Sequence, residues 1–171
     1  MSECNRRRCR RAEFRNSING AGALIIFDAV LWGSYTWSGL VCPVWLVVSL
    51  ARSVVTRQCL RAAIVRALFP VAVLMLVLAN SVLQDRIAEN TSARVIAACE
   101  EFRKATGDYP DRLDQLVPHY LPSIPRAKYC LSFNDFLYYK SPSYPIISWC
   151  QFPPFGRRVY NFRTHEWRYL D

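Results

Sequence analysis

The chain has 171 residues, of which 52% are apolar and 20% are charged, and its formal net charge is +9. This length allows one compact domain or a small domain with membrane anchors, and the composition excludes disordered and collagen-like chains. A simple soluble globule is excluded too, because residues 67–83 contain no charged side chain. The basic residues lie beside the apolar stretches, as in membrane proteins, and not on a folded surface as nucleic-acid binding would require. We therefore expect a lipid bilayer as a partner and no nucleic acid.

The sequence divides into a basic tail (1–19), a membrane region (20–84) and a C-terminal head (85–171). The tail carries six arginines and is expected to be disordered or to lie on the membrane surface. The membrane region holds two apolar segments, residues 21–51 and 63–83.

The first apolar segment is longer than one membrane crossing requires. As a single helix, residues 21–51 would be about 45 Å long, against a hydrocarbon core of about 30 Å. Gly33, Gly39 and Pro43 mark a break. The segment is therefore either one long kinked span, which we favour, or a pair of short helices with residues 33–42 as the bend.

Asp28 is the one ionisable residue deep inside this apolar segment. Ionisable residues are expensive in lipid and often functional. The alternative, which we favour, is that Asp28 lies near the interface and pairs with a headgroup or an arginine, because no second group that could relay a proton is visible.

The second apolar segment leads into an amphipathic pattern. Pro70 lies in its first turns, where a missing backbone donor is tolerated. From Asn80 onward, apolar side chains recur every three to four residues as far as Phe102. No helix breaker lies between Pro70 and Gly107, so one continuous helix ending at Gly107 is predicted.

The rest of the head is predicted to be a short helical turn followed by strands. Asp111 is a plausible N-cap of the turn, and Leu113, Leu116 and Val117 form its apolar face. Thr164 and His165 have the position of a hairpin turn. Aromatic-rich runs then predict antiparallel strands at 128–133, 136–140, 144–150, 157–163 and 166–170.

The sequence thus predicts an α+β membrane protein. A transmembrane helical hairpin continues through its second span into a long amphipathic helix, which packs on a small antiparallel sheet.

The head contains an AACEEFR run at 97–103 and a GDYP turn at 107–110. The residues of the turn and of the segment after it that form the motif are Gly107, Tyr109, Pro110, Leu113, Leu116, Val117, Pro118, Pro122 and Pro125. These motifs resemble the globular head of bacterial type II secretion pseudopilins and related type IV pilin-like proteins. The similarity covers about residues 80–130, with a compatible strand pattern to the end.

The resemblance implies a pilin-like head held on a long helix that is half membrane-embedded and half globular. Two apolar regions precede the head here, whereas pseudopilins have one, and no clear prepilin leader is present. We therefore carry over the head fold and not the assembly of a fibre.

The cysteines and histidines do not predict a metal or cofactor site. Seven cysteines include no CxxC pair, and the two histidines lie far apart in sequence. Cys130 and Cys150 fall in predicted neighbouring strands. They would form a disulfide if the head faces an oxidising compartment, or remain as two buried thiols.

The sequence shows no catalytic motif, so we predict that the protein is not an enzyme. His165 beside Glu166 could act as a base, but no nucleophile is placed near it. Carboxylate pairs such as Glu100 and Glu101 are typical of solvated helix faces.

The leading hypothesis is a multi-pass protein of the bacterial inner membrane whose periplasmic head is a structural or protein-binding component of the envelope, with an envelope protein or a second copy as partner. The alternative is a membrane-embedded immunity or regulatory protein whose spans carry the function. The positive-inside rule would keep both the tail and residues 52–66 in the cytoplasm, which a single span between them cannot satisfy. A re-entrant first region, in which the two short helices dip into the membrane and return, would satisfy it and would leave the head outside.

Overall fold

The computed structural model describes residues 17–55, 60–141, 144–153 and 155–170, and these form an α+β structure with long apolar helices and an antiparallel sheet. This confirms the predicted fold class at that level. The predicted basic tail lies outside the described residues as far as position 16. The helices are α1 (Ser17–Trp32), α2 (Thr36–Val55) and α3 (Leu60–Thr106), and the strands are β1 (Leu137–Lys140), β2 (Pro145–Phe152), β3 (Gly156–Asn161) and β4 (Glu166–Leu170).

The chain separates into two compact units. The first consists of Met1–Leu31 and Tyr35–Ala79, and the second, which contains the sheet, consists of Trp32–Ser34 and Asn80–Asp171. The short segment Trp32–Ser34 therefore belongs to the head unit, although it lies far from the rest of that unit in sequence.

The first apolar segment is two helices and not the single kinked span that we favoured. α1 ends in a π-helical stretch, Ile26–Trp32, and α2 begins at Thr36. Gly33 between them has φ of +60°, a left-handed conformation in which other residues are strained. The break thus occupies only the start of the predicted 33–42 bend.

Asp28 supplies the physical reason for this break. Its side chain is completely buried, and its carboxylate accepts hydrogen bonds from the backbone N–H groups of Trp37 (3.2 Å) and Ser38 (2.5 Å). These N–H groups lie in the first turn of α2, where no helical partner is available. Asp28 therefore caps the next helix along the chain, a role that neither sequence interpretation of this residue included.

In the first unit, α1, α2 and residues 69–74 of α3 share a small apolar cluster. Its buried members are Ala21, Cys42 and Val73, one from each helix. The ring of Trp45 meets Phe69 edge-on at 5.9 Å between centroids. Most other large apolar side chains of these helices are exposed, so the cluster buries only a small part of their apolar surface.

α3 is one unbroken helix of 47 residues, as predicted. It ends where Gly107 takes φ of +88° and donates its N–H to the carbonyl of Arg103 (2.8 Å), a C-terminal motif suited to glycine. Pro70 lies in the interior of the helix, and not in its first turns, because the helix begins before the apolar segment, at Leu60.

The four strands form an antiparallel meander in the order β1-β2-β3-β4, and four of the five predicted strands are confirmed. The predicted turn at Thr164 and His165 joins β3 to β4, where His165 donates its N–H to the carbonyl of Asn161 (2.9 Å). One face of the sheet meets α3 in the head core, which includes Ala88, Val95, Ala98, Cys99, Ile147, Trp149, Tyr160 and Phe162.

The predicted strand at 128–133 is wrong. This segment is an irregular loop, closed by hydrogen bonds from the N–H groups of Ala127 (2.7 Å) and Lys128 (3.3 Å) to the carbonyl of Asn134. Phe133 in the loop has φ of +58°, which is incompatible with a strand. The aromatic-rich run suggested a strand, but local closure of the backbone prevents pairing.

Candidate functional site: the end of α3 and the loops at Gln84

The motif that follows α3 is organised around Tyr109. Its ring is buried against Phe162 (5.0 Å between centroids), and its hydroxyl donates to Glu100 Oε1 (2.8 Å). The same hydroxyl accepts a hydrogen bond from Arg103 Nη1 (2.8 Å), and the guanidinium lies 4.8 Å from the ring centre. Burial raises the pKa of Tyr109, the Glu100 carboxylate raises it further, and Arg103 partly opposes both. The tyrosine therefore stays neutral and fixes the turn to the last turns of the helix.

Lys140 fastens the same turn to the edge of the sheet. Its ammonium donates to Asp108 Oδ2 (3.0 Å), Asp111 Oδ1 (2.8 Å) and the carbonyl of Tyr109 (2.9 Å). Hydrogen bonds to Asp111 and Asp108 raise the pKa of Lys140, and the bond from Lys140, together with the Tyr109 N–H, lowers the pKa of Asp108. An oxygen cluster of this kind would attract a cation, and here the lysine ammonium fills that role.

The remaining motif residues have structural positions. Pro110 is buried and its carbonyl accepts from the Tyr138 hydroxyl (2.8 Å). Leu113 and Leu116 lie in the head core on a 3₁₀ turn. The prediction that Asp111 is the N-cap of this turn is wrong, because Arg112 occupies that position and no side chain caps the turn. Val117 is half-buried and joined to the exposed Pro118 by a cis peptide bond, Pro122 is exposed and Pro125 is half-buried.

A second group of polar side chains holds the loop at 127–134 and the end of β2 against α3 at Asp85. Lys128, which is completely buried, places its ammonium 3.1 Å from Asp85 Oδ1 and donates to the carbonyl of Gln151 (2.9 Å). The contact to Oδ1 lies outside hydrogen-bond geometry, so it is an ion pair without a hydrogen bond. Gln151 Nε2 donates to the other carboxylate oxygen of Asp85 (3.3 Å). No sequence signal distinguished Lys128, because a lone lysine in an aromatic run normally lies at the surface.

Gln84 next to this ion pair holds the backbone of the first loop. Its Oε1 accepts from the N–H of Tyr129 (2.8 Å), and its Nε2 donates to the carbonyl of the same residue (3.4 Å). A side-chain amide thus makes the two bonds that a neighbouring strand would make. This explains why the segment does not need the sheet to satisfy its backbone.

Cys130 and Cys150 are both free and buried in the structure. Burial raises the pKa of each thiol, and the Lys128 ammonium partly opposes this. Cys150 also raises the pKa of Cys130. Cys130 also packs against the helix break, since a Cβ added to Gly33 would lie 3.1 Å from its sulphur.

An open groove lies between α3 and the end of the sheet. Arg158 pairs there with Glu89, and its guanidinium stands over Trp167 at 5.3 Å and over Trp149 at 5.7 Å. The indole N–H of Trp149 is buried and has no hydrogen-bond partner among the described residues. No sequence signal distinguished Arg158, because the strand pattern alone does not show which arginine covers the aromatic core.

The proposed base, His165, lies in the exposed turn before β4. Its Nδ1 is 3.0 Å from the Tyr160 hydroxyl, and Glu166 lies 3.4 Å from Arg168, so each side chain has a local partner. Among residues 17–55, 60–141, 144–153 and 155–170, no three His, Cys, Asp or Glu side chains are placed to hold a metal ion.

No protein-family model matches this sequence, and comparisons with curated proteins and with solved structures find no similar protein.

Proposed function

We propose that this chain is an integral membrane protein of the bacterial envelope, with a pilin-like head outside the cytoplasm that serves as a structural or protein-binding module. The observation that carries the proposal is the exposure of its apolar helices. Two helices are long and apolar enough to cross a membrane, and in each the most apolar stretch is only 17% buried. The core helix of a soluble protein would bury most of such a stretch.

Exposure of this kind is costly in water. Val47 on α2 is 65% exposed, and Leu68 and Met75 on α3 are 57% and 62% exposed. Each such side chain is worth about 1.5–3 kcal/mol when it leaves water, so a bilayer would stabilise the arrangement strongly. Soluble monomers rarely expose apolar surface over whole helices.

The helix break supports the proposed orientation of the head. With α1 and α2 as separate crossings and α3 as a third, an odd number of crossings separates the tail from the head. The arginines of residues 1–19 and 52–66 then share the cytoplasmic side, as the positive-inside rule requires. α1 has 16 residues, about 24 Å of helix, so the bilayer would have to thin slightly around it.

A role in protein binding is supported by the outer face of the sheet. Leu137 and Tyr139 on the edge strand β1 are 51% and 64% exposed and lie beside the half-buried Ile146 on β2. Aromatic and aliphatic side chains that remain exposed together are typical of contact surfaces. The pilin resemblance supports the same role, because the motif residues Tyr109, Pro110 and Leu116 build the turn that holds this sheet to α3.

The alternative, a function carried by the spans, depended on Asp28. Both of its carboxylate oxygens accept backbone N–H groups of α2, so a local structural role accounts for its burial. This observation favours the head as the functional part.

Labelling of an introduced thiol tests the orientation. Thr164 lies in the exposed turn between β3 and β4, so Thr164→Cys adds a reactive site on the head without disturbing the core. We expect a membrane-impermeant maleimide to label this variant in intact cells, and not the native chain, whose Cys4, Cys9 and Cys59 would face the cytoplasm. Labelling of Thr164→Cys only after permeabilisation would contradict the proposal. Extraction of the chain from membranes by alkaline carbonate would contradict membrane insertion itself.

A photocrosslinking residue at position 139 tests protein binding. Benzoylphenylalanine in place of Tyr139 should give a protein adduct in intact cells, either with a second copy or with an envelope protein. The matched control is the same residue in place of Lys104, an exposed position on α3. Equal or absent adducts at the two positions would contradict a binding face at β1.

A further inference from the structure

The loop that follows the proline-rich segment presents three apolar side chains to the outside. Tyr129, Leu131 and Phe133 are 71%, 69% and 44% exposed, whereas Cys130 between the first two is buried. Alternation therefore directs one set of side chains outward and the other inward. The inward set closes the loop, since Cys130 Sγ donates to the carbonyl of Ser132 (3.0 Å). A closed loop with a left-handed residue at Phe133 holds these side chains outward without support from a strand.

The turn between β2 and β3 adds two further aromatic side chains. Phe155 is 78% exposed and Phe152 is 38% exposed, and the N–H of Phe155 donates to the carbonyl of Phe152 (2.8 Å). Lys128 in the first loop donates to the carbonyl of Gln151 on β2, next to Phe152, and so joins this loop to the end of the strand. We call the set Tyr129, Leu131, Phe133, Phe152 and Phe155 the aromatic collar.

The collar is tied to one particular level of α3. Gln84 binds the backbone of Tyr129, and Asp85 pairs with Lys128 and accepts from Gln151. These two helix residues directly follow Leu83, the last residue of the apolar segment 63–83. The polar contacts that position the collar thus begin where the lipid-compatible part of the helix ends.

The helix break contributes to the same surface. Trp32 meets Phe133 edge-on at 6.3 Å between ring centroids, and Gly33 packs on Cys130. Trp32 is the last residue of α1, an apolar helix that we propose to cross the membrane. Two chain segments that leave the apolar region therefore meet the collar loops.

We propose that the aromatic collar docks into the boundary between the headgroups and the acyl chains of the bilayer that holds α3. Aromatic rings are enriched at this depth in membrane proteins, because a ring buries apolar area there while its polar edge stays hydrated. The inference rests on the proposed membrane insertion and adds that the head contacts the membrane surface through these loops, instead of standing free of it on α3.

A protein partner would explain exposed aromatics but not their position. The polar contacts at Gln84 and Asp85 tie the segments that carry the five side chains to the start of the head. Tyr139 is also exposed but lies near the other end of the head part of α3, because its neighbour Lys140 binds Asp108 just beyond the end of that helix. Along the helix, Asp85 and Thr106 are separated by about 30 Å at 1.5 Å per residue.

Photocrosslinking in vesicles tests the proposal with a matched pair of tyrosines. Benzoylphenylalanine is placed at Tyr129 or Phe155 in the full chain, reconstituted in vesicles of phosphatidylethanolamine and phosphatidylglycerol, and lipid adducts are measured by mass spectrometry. The control is the same residue at Tyr139, which is 64% exposed against 71% for Tyr129. We expect several-fold more phospholipid adduct at positions 129 and 155 than at position 139.

A fourth variant, with the crosslinker at Met75 in the apolar part of α3, separates the two proposals. Lipid adducts at positions 75, 129 and 155 support both. Lipid adducts at position 75, with positions 129 and 155 no higher than 139 or crosslinked only to a second copy, overturn the collar and leave membrane insertion standing. Absence of lipid adducts at position 75 overturns membrane insertion and the collar with it.

Discussion

Removal of either partner of the Lys128–Asp85 pair should destabilise the head, and the two removals should differ. Lys128 is completely buried, whereas the Asp85 side chain is 24% exposed. Asp85→Asn leaves a buried ammonium whose remaining protein acceptor is the Gln151 carbonyl, and Lys128→Met leaves a carboxylate that reaches water. We therefore expect the larger loss for Asp85→Asn.

The expected loss of stability follows from two opposing energies, the attraction between the two charges and the cost of removing them from water. At 3.1 Å, the attraction is about 5 kcal/mol with an effective dielectric constant of about 20, and desolvation of the two charges costs several kcal/mol. The pair is thus worth little net, but a single charge left buried costs about 3–5 kcal/mol. We expect about that loss for Asp85→Asn and about 1–3 kcal/mol for Lys128→Met, where an acceptor loses its partner but water can replace it.

Hydrogen exchange of the β2 amides in the full chain, reconstituted in lipid, measures these losses in the head alone. The double variant with Asp85→Leu and Lys128→Met should lose less stability than Asp85→Asn, because no charge remains buried. The control Asp114→Asn breaks an ion pair with Arg112 whose side chains are 66% and 80% exposed, and should cost less than about 1 kcal/mol. If Asp85→Asn resembled Asp114→Asn, or if the double variant were the least stable, the reasoning would be refuted.

Three further predictions concern other contacts of the head. Gly33→Ala should cost at least about 1–2 kcal/mol of stability from left-handed strain, and the added contact to a sulphur at 3.1 Å should increase the loss. The control Gly22→Ala, with nothing within 4 Å of the added Cβ, should be neutral or stabilising. Equal thermal unfolding of the two variants would argue against the helix break. Lys140→Met should flatten the pH dependence of the unfolding free energy at both ends. The lowered pKa of Asp108 stabilises the fold above the ordinary pKa of 3.8, and this contribution is lost as the pH falls through the lowered pKa. The raised pKa of Lys140 stabilises the fold below 10.5 and this contribution is lost at higher pH, so an unchanged profile would contradict the linkage. Tyr109→Phe removes two side-chain hydrogen bonds and should cost about 1–2 kcal/mol, measured as faster exchange in the last turns of α3, and unchanged exchange there would show that the hydroxyl is not needed.

Local patterns in the sequence were sufficient to predict α3 and the four strands. The three-to-four-residue spacing from Asn80 to Phe102 and the absence of a breaker before Gly107 predicted α3 as one helix. Aromatic-rich runs predicted the four strands, and the position of Thr164 and His165 predicted the turn between the last two. These signals succeed because helix and strand periodicity depend on neighbouring residues, and because glycine at the end of a helix has a local conformational reason.

The errors arose where a distant residue satisfies the backbone. Asp28 reaches forward to cap α2, which turns one predicted span into two helices. Gln84 satisfies the backbone of Tyr129, 45 positions further along the chain, and so removes a predicted strand from the sheet. Neither interaction has a periodic signature, since each is one side chain meeting one or two backbone groups.

The sequence by itself determined the α+β class, the apolar segments, the continuous α3 and the motif at Gly107, Tyr109 and Pro110. Each of these follows from composition or from spacing over a few residues. The tertiary structure decided that Lys128 is buried against Asp85 and that the thiols of Cys130 and Cys150 are buried. It also decided which aromatic side chains fill the core and which form the collar, because burial depends on what the whole chain packs against each position.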